Sequence, residues 1–164
     1  MKSKAEIKVA IESAFAGVRL DGGLSLNQTK VVDNYGRGVS SEQFSKLPNQ
    51  EVTDDWTAIP PSVLDDADSL GHLDAEGFRY YIPALMLRLL DSYDSCSMMT
   101  IGTLGMLYPK REGHEYLYSH LNEPQFKAIA CYLEELPELI NLEGEDRTVV
   151  ERAFRKYWSK YLYS

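Results

Sequence analysis

The sequence predicts a mostly α-helical protein, with five to six helices around a single core and a short strand pair within residues 98–120. Two observations favour helices. Apolar residues recur at intervals of three and four along much of the chain, and several of these runs begin with capping-box spacing. A length of 164 residues, with 44% hydrophobic and 26% charged residues, is typical of one globular domain, which we expect to span residues 1–164.

Two helices are predicted near the N-terminus. Ser3 and Glu6 have capping-box spacing ahead of an amphipathic run, which predicts a helix over about residues 4–18. Ser25 and Gln28 repeat that spacing after a glycine-rich break and predict a second helix. The sequence then loses its periodicity from residue 37 to residue 70, so we expect a long irregular connection there.

The most distinctive helix is predicted to begin at Asp74. An aspartate is a good N-cap, Glu76 suits the positive end of the helix, and Leu73 and Phe78 have the spacing of a hydrophobic staple. Phe78 leads the apolar face and is therefore predicted to lie in the core. Pro83 lies inside the run, so a kink is expected.

Residues 98–120 are ambiguous, because Gly102 and Gly105 weaken a helix there without producing the alternation of a strand. The helical pattern resumes at Asn122 and is predicted to end at Pro137. A last helix is predicted over about residues 146–162.

Charge is distributed unevenly along the chain, whose formal net charge is −8. Residues 47–78, called here the acidic segment, contain no Lys or Arg and eight acidic residues: Glu51, Asp54, Asp55, Asp65, Asp66, Asp68, Asp74 and Glu76. The stretch from Arg147 to Lys160 is instead basic. The acidic balance disfavours binding to nucleic acids and anionic membranes and favours a protein partner with a basic surface.

No nucleotide-binding, zinc-protease, hydrolase or EF-hand motif is present in the sequence. His72, Asp74 and Glu76, with Asp54 and Asp55 nearby in space, are the residues that would suit a metal ion or acid–base catalysis. Helix capping explains Asp74 and Glu76 better, and a lone histidine in a loop is usually solvated, so we expect neither a bound metal nor a cofactor.

The aromatic residues allow two interpretations. Trp56, beside two aspartates, is either an anchor for a partner or a loop residue packed on the core. Tyr157, Trp158 and Tyr161 have helical spacing, which favours packing over stacking on a ligand.

The N-terminus shows no signal-peptide pattern. Cys96 and Cys131 occur without CxxC spacing and without a histidine nearby in sequence. We therefore expect reduced, packed thiols in a cytoplasmic protein.

Several motifs together resemble an uncharacterised bacterial family of small soluble proteins. The most specific is Leu-Asp-Ala-Glu-Gly-Phe-Arg-Tyr-Tyr-Ile-Pro-Ala over residues 73–84. The others are Gly-Leu-Ser-Leu-Asn-Gln-Thr over 23–29, Asp33, Tyr35-Gly36, Trp56, Ile59-Pro60, residues 121–133 with Gln125, and Tyr157-Trp158. The resemblance covers nearly the whole chain and implies no activity and no catalytic residue. In size and charge the chain also resembles bacterial immunity proteins, which neutralise toxins.

The function expected from the sequence is therefore that of a non-catalytic protein-binding module, such as a cytoplasmic immunity or regulatory protein. Its partner would carry a basic surface, as some toxins do, and would meet the acidic segment. The residues expected to bind it are Asp54, Asp55, Trp56, Asp65, Asp66 and Asp68. The alternative is a small enzyme with its site near His72, Asp74 and Glu76. An adjacent toxin gene would favour the first, and a metabolic operon the second.

Overall fold

The structure is a computed structural model, and it describes residues 1–36, 39–47, 51–109 and 114–163. Within these residues all regular structure is helical and no strand is found. The α-helices are α1 (Lys4–Ala14), α2 (Leu26–Tyr35), α3 (Ser41–Ser45), α4 (Pro61–Asp65), α5 (Ala75–Asp91), α6 (Met98–Leu107), α7 (Glu123–Leu139), α8 (Glu145–Ala153) and α9 (Lys160–Tyr163). Short 3-10 turns occupy Trp56–Ala58, Leu70–His72 and His114–Tyr118, and a π-helical turn spans Phe154–Trp158.

Helix α5 forms the centre of the protein. Most of its residues are buried, and it contacts α1, α4, α6 and α7 as well as the 3-10 turn at Trp56–Ala58. Helix α7 lies across α1 on one side and contacts α8, α9 and the π turn on the other. The hydrophobic core draws on residues from α1 to the π turn. Phe78 is fully buried, which confirms the predicted core position.

The described residues contain more helices than the five to six expected. Six helices have nine or more residues, whereas α3, α4 and α9 have five or fewer. A helix of five residues or fewer is too short for its apolar residues to show a repeat of three and four in the sequence. Two of them, α3 and α4, and the 3-10 turn at Trp56–Ala58 lie within residues 37–70, which were expected to be irregular.

The expected strand pair within residues 98–120 is wrong for the part of that range that the structure describes. Residues 98–107 form α6, whose N-cap is Ser97. Gly102 is needed for packing rather than for a turn, because a Cβ at this position would lie 2.9 Å from Cδ1 of Leu70. The helix packs against α5, α4, α8 and the turn containing Leu70, and its exposed large apolar side chains are Met98 and Ile101.

The ends of three predicted helices also differ. The first helix ends at Ala14 because the fully buried Phe15 caps it and the chain then turns at Gly17, where φ is +76°. Helix α7 continues past Pro137 to Leu139. The single helix expected over residues 146–162 is interrupted by the π turn, in which the amide of Ser159 donates to the carbonyl of Phe154, 2.8 Å away.

The two cysteines lie in different environments, and both are free thiols. Cys131 is buried as expected, whereas Cys96 is exposed and is therefore not a packed residue. None of the helices in the described residues is long and apolar enough to cross a membrane.

Candidate functional site

Residues 54–56 lie in the part of the acidic segment that the structure describes. The side chains of Asp54 and Asp55 are exposed, and Asp55 caps the 3-10 turn through Oδ1, which accepts from the amide of Thr57 at 3.0 Å. Trp56 is only 4% exposed, and its Nε1 donates to the carbonyl of Phe15 at 2.8 Å. The burial of Trp56 favours the core interpretation, so the indole fixes the position of the two aspartates instead of projecting as an anchor.

Asp68 lies in an exposed, irregular stretch as expected, whereas Asp65 and Asp66 belong to the end of α4. Asp65 ends α4 and forms a bidentate ion pair with Arg88 of α5, at 2.7 Å to Nε and 2.8 Å to Nη2. The hydrogen bonds from Arg88 lower the pKa of this carboxyl. Asp66 and Asp68 are exposed on either side of the buried Ala67, which holds their backbone against the core.

Asp74 has a structural task. Its Oδ1 accepts from the amide of Gly77 at 2.8 Å and from the amide of Leu24 at 3.1 Å, so one carboxylate caps α5 and fastens the loop before α2. Gly23 allows this approach, because a Cβ there would lie 2.8 Å from Cβ of Glu76. The predicted N-cap is confirmed, and it connects two helices.

The residues after Asp74 fasten other segments to α5. The hydroxyl of Tyr80 donates to the carbonyl of Val52 at 2.5 Å, and the hydroxyl of Tyr81 accepts from the amide of Leu26 at 3.3 Å. Burial raises the pKa of Tyr80 to about 12. The most distinctive segment of the sequence, residues 73–84, is thus a structural junction.

His72 pairs with a residue that the sequence did not indicate. Its Nε2 lies 2.9 Å from Oδ1 of Asp33, which comes from α2 and is 39 positions away in the chain. The described part of the chain contains no group of three or more His, Cys, Asp or Glu residues that could hold a metal ion. His72, Asp74 and Glu76 therefore do not converge on one site there.

The charge on the acidic segment is mostly uncompensated. Among the described residues, Asp65 is its one acidic member in an ion pair. Exposed carboxylates of Asp54, Asp55, Asp66 and Asp68 lie on turns that pack against or near α5. We call these four residues the acidic face. Their exposed negative charges are suited to attracting a positively charged partner.

Sequence comparison places the chain in a family without an assigned activity. A family described as a family of unknown function (DUF6714) matches residues 3–162, and the chain belongs to it. No curated protein and no solved structure matches the chain.

Proposed function

We propose that this member of a family of unknown function is a non-catalytic protein-binding module whose acidic face recognises a protein with a basic surface. An immunity protein that neutralises a toxin, or a cytoplasmic regulatory protein, would act in this way. The observation that carries the proposal is the contrast within the acidic segment. Asp65 is engaged by Arg88, whereas the four carboxylates of the acidic face meet no Lys or Arg among the described residues.

The backbone beneath these carboxylates is well anchored. Trp56, Leu64 and Ala67 are buried between or beside the exposed aspartates. A preformed charged surface loses little conformational entropy when it binds, and it accelerates association by electrostatic steering. Neighbouring like charges also repel one another, and a cationic partner would relieve that repulsion.

A small enzyme remains the second candidate, and its support is the His72–Asp33 pair, because a carboxylate orients an imidazole for acid–base work. The other residues of that hypothesis are less suitable. Asp74 already accepts two backbone hydrogen bonds, so its substitution would disturb the fold before it tested any chemistry.

The proposal is tested by capture from native lysate, with mass spectrometry to identify the retained protein. The test variant is Asp54→Asn/Asp66→Asn/Asp68→Asn. The matched control removes three carboxylates outside the acidic segment: Glu115→Gln/Glu135→Gln/Glu145→Gln. We expect wild type and control to retain the same basic protein and the test variant to lose it at moderate salt.

Surface plasmon resonance then separates steering from contact. We expect the test variant to associate about tenfold or more slowly than the control, with a difference that shrinks as salt is added. Equal retention by both variants, an association rate that ignores salt, or no specifically retained protein would overturn the proposal.

A further inference from the structure

A groove between α1 and α7 has a chemistry unlike that of the rest of the molecule. It has a volume of about 620 Å³. Its apolar lining comes mainly from Ala10 and Ala14 of α1, Ala128 and Cys131 of α7, and Leu162 of α9. A groove of this size, floored by apolar groups and edged by a few polar ones, has the character of a small-molecule site.

The groove is a consequence of how the two helices pack. Ile7 and Ile11 of α1 are buried in the core, and the smaller Ala10 and Ala14 face the groove. The amide of Gln125, itself buried, donates to the carbonyl of Ala14 at 3.2 Å and ties the end of α1 to α7. Because both walls are helices held in this way, the groove exists before any ligand arrives.

The charged side chains that line the groove are cationic. Lys2 and Lys127 line it together with the uncharged Ser13 and Asn122, and no acidic residue does, although the chain as a whole has a net charge of −8. The beginning of α7, at Asn122 and Pro124, lines the same groove and adds the positive end of a 17-residue helix. The charged groups of the lining therefore suit an anion.

Neither Lys2 nor Lys127 forms a buried ion pair within the described residues. Nζ of Lys127 lies 2.8 Å from Oε1 of Glu123, but this pair is exposed and one turn apart on the same helix, an arrangement that contributes little. Lys2 forms no ion pair within the described residues. It lies beside the thiol of Cys131, whose pKa is raised by burial and by the nearby Glu134 and Glu135, and is only partly lowered by the ammonium group. A protonated thiol is a poor acceptor for an ammonium group.

We propose that this groove binds a monocarboxylate with an aliphatic chain, such as a free fatty acid of medium length. The chain lies along the alanine side chains, Cys131 and Leu162, and the carboxylate meets Lys2 and Lys127. The groove is separate from the acidic face. The proposal that it binds a carboxylate is therefore independent of whether the acidic face binds a protein.

Octanoate is the probe, and the readouts are the melting temperature and titration calorimetry on the full chain. Octanol and octyltrimethylammonium serve as the uncharged and cationic ligands of equal chain length. We expect octanoate to raise the melting temperature and the other two to have much less effect. Across hexanoate, octanoate and decanoate, affinity should rise by up to about fourfold for each methylene group that becomes buried.

Three variants locate the site. Lys2→Glu/Lys127→Glu should abolish octanoate binding, and Ala10→Leu should block it by filling the groove from the partly exposed side of α1. Lys8→Glu reverses one charge on α1 outside the groove and should bind octanoate as wild type does. Far-UV circular dichroism without ligand checks that each variant is folded.

Cys131 supplies a readout that a general stabilising effect would not reproduce. In a Cys96→Ser background, octanoate should slow the reaction of Cys131 with a thiol reagent, because the ligand covers the groove. Equal protection by octyltrimethylammonium would show that any apolar chain enters and would overturn the assignment. The assignment also fails if octanoate neither shifts the melting temperature nor protects the thiol. If Lys2→Glu/Lys127→Glu instead lowers the capture of a protein partner, the groove is a protein interface.

Discussion

The acidic segment and the C-terminal region, residues 145–163, carry opposite net charges, and in each region one side chain of the prevailing sign forms an ion pair with another helix. In the acidic segment Asp65 pairs with Arg88 of α5. In the C-terminal region Arg147 contacts Glu138, Glu151 and the carbonyl of Pro137.

Several of the other charged side chains in both regions are exposed. Arg152, Arg155 and Lys156 are exposed and form no ion pair within the described residues, as is true of the acidic face. A charge supports the fold when another element supplies its partner, and otherwise it is available for recognition. The two regions differ in the buried tryptophan that packs each of them on the core, Trp56 in the acidic segment and Trp158 in the C-terminal region.

The largest effect is expected from the two tryptophans. Trp158 is fully buried against Tyr118, Tyr157, Phe126 and Tyr161, whereas Trp56 has no aromatic neighbour of this kind among the described residues. Trp158→Ala and Trp56→Ala should each lower the free energy of unfolding by about 3 to 5 kcal/mol, with the larger loss for Trp158. Urea unfolding measures both values. If Trp56→Ala lowered the free energy of unfolding by less than about 1 kcal/mol, the indole would not be what holds the acidic segment on the core.

The next largest change in stability is expected where Gly102 of α6 packs against Leu70 of the acidic segment. Gly102→Ala places a Cβ 2.9 Å from Leu70 and should cost about 1 to 3 kcal/mol, even after the helix propensity of alanine is counted. Gly105→Ala is the matched control, because a Cβ there meets no atom within 4 Å, and it should stabilise by about 0.5 to 1 kcal/mol. Thermal unfolding of both variants gives the comparison. Equal shifts in the same direction would contradict the described packing of α6.

Asp74→Ala should cost about 1 to 2 kcal/mol, because the substitution leaves the amides of Gly77 and Leu24 without their acceptor. Asp74→Asn keeps the side-chain oxygen and should recover most of that loss. Chemical denaturation distinguishes the two. If both variants lost equal stability, the charge rather than the hydrogen bonds of Asp74 would be responsible.

The smallest expected change in stability distinguishes Asp65, which is paired with Arg88, from Asp66 and Asp68, which form no ion pair within the described residues. Asp65→Asn should cost at most about 1 kcal/mol, since the pair with Arg88 is partly exposed, whereas Asp66→Asn/Asp68→Asn should stay within about 0.5 kcal/mol of wild type. The folded state lowers the pKa of Asp65. Its contribution is therefore present above the unfolded pKa, about 4, and is lost as the pH falls through the folded pKa. Stability measured from neutral to acidic pH should show this loss in wild type and not in Asp65→Asn.

The sequence predicted the parts of the fold that depend on neighbours in the chain. The caps at Ser3, Ser25, Asp74 and Asn122 are confirmed, because a cap joins residues only three positions apart. The predicted core position of Phe78 rested on periodicity in the same way.

Interactions between distant residues were not predictable. Asp33 with His72 and Arg88 with Asp65 are 39 and 23 positions apart, and nothing in either local pattern marks them. Gly102 suggests a weak helix from the sequence alone, and its role in packing depends on Leu70, which lies against it in the structure. The grouping of Lys2 with Lys127 depends on the packing of α1 on α7, so no local pattern of residues predicts the groove.

The two buried indoles give the protein a pair of optical reporters. Each Nε1 donates to one carbonyl, that of Phe15 for Trp56 and that of Leu107 for Trp158, so each fluorescence signal reports on a different region. Trp56→Phe and Trp158→Phe would each leave one emitter. Coincident unfolding curves from the two variants would mean that both regions melt as one cooperative unit. A partner at the acidic face should then change the emission of Trp56 and leave that of Trp158 unaltered, so recognition would be visible without any attached label.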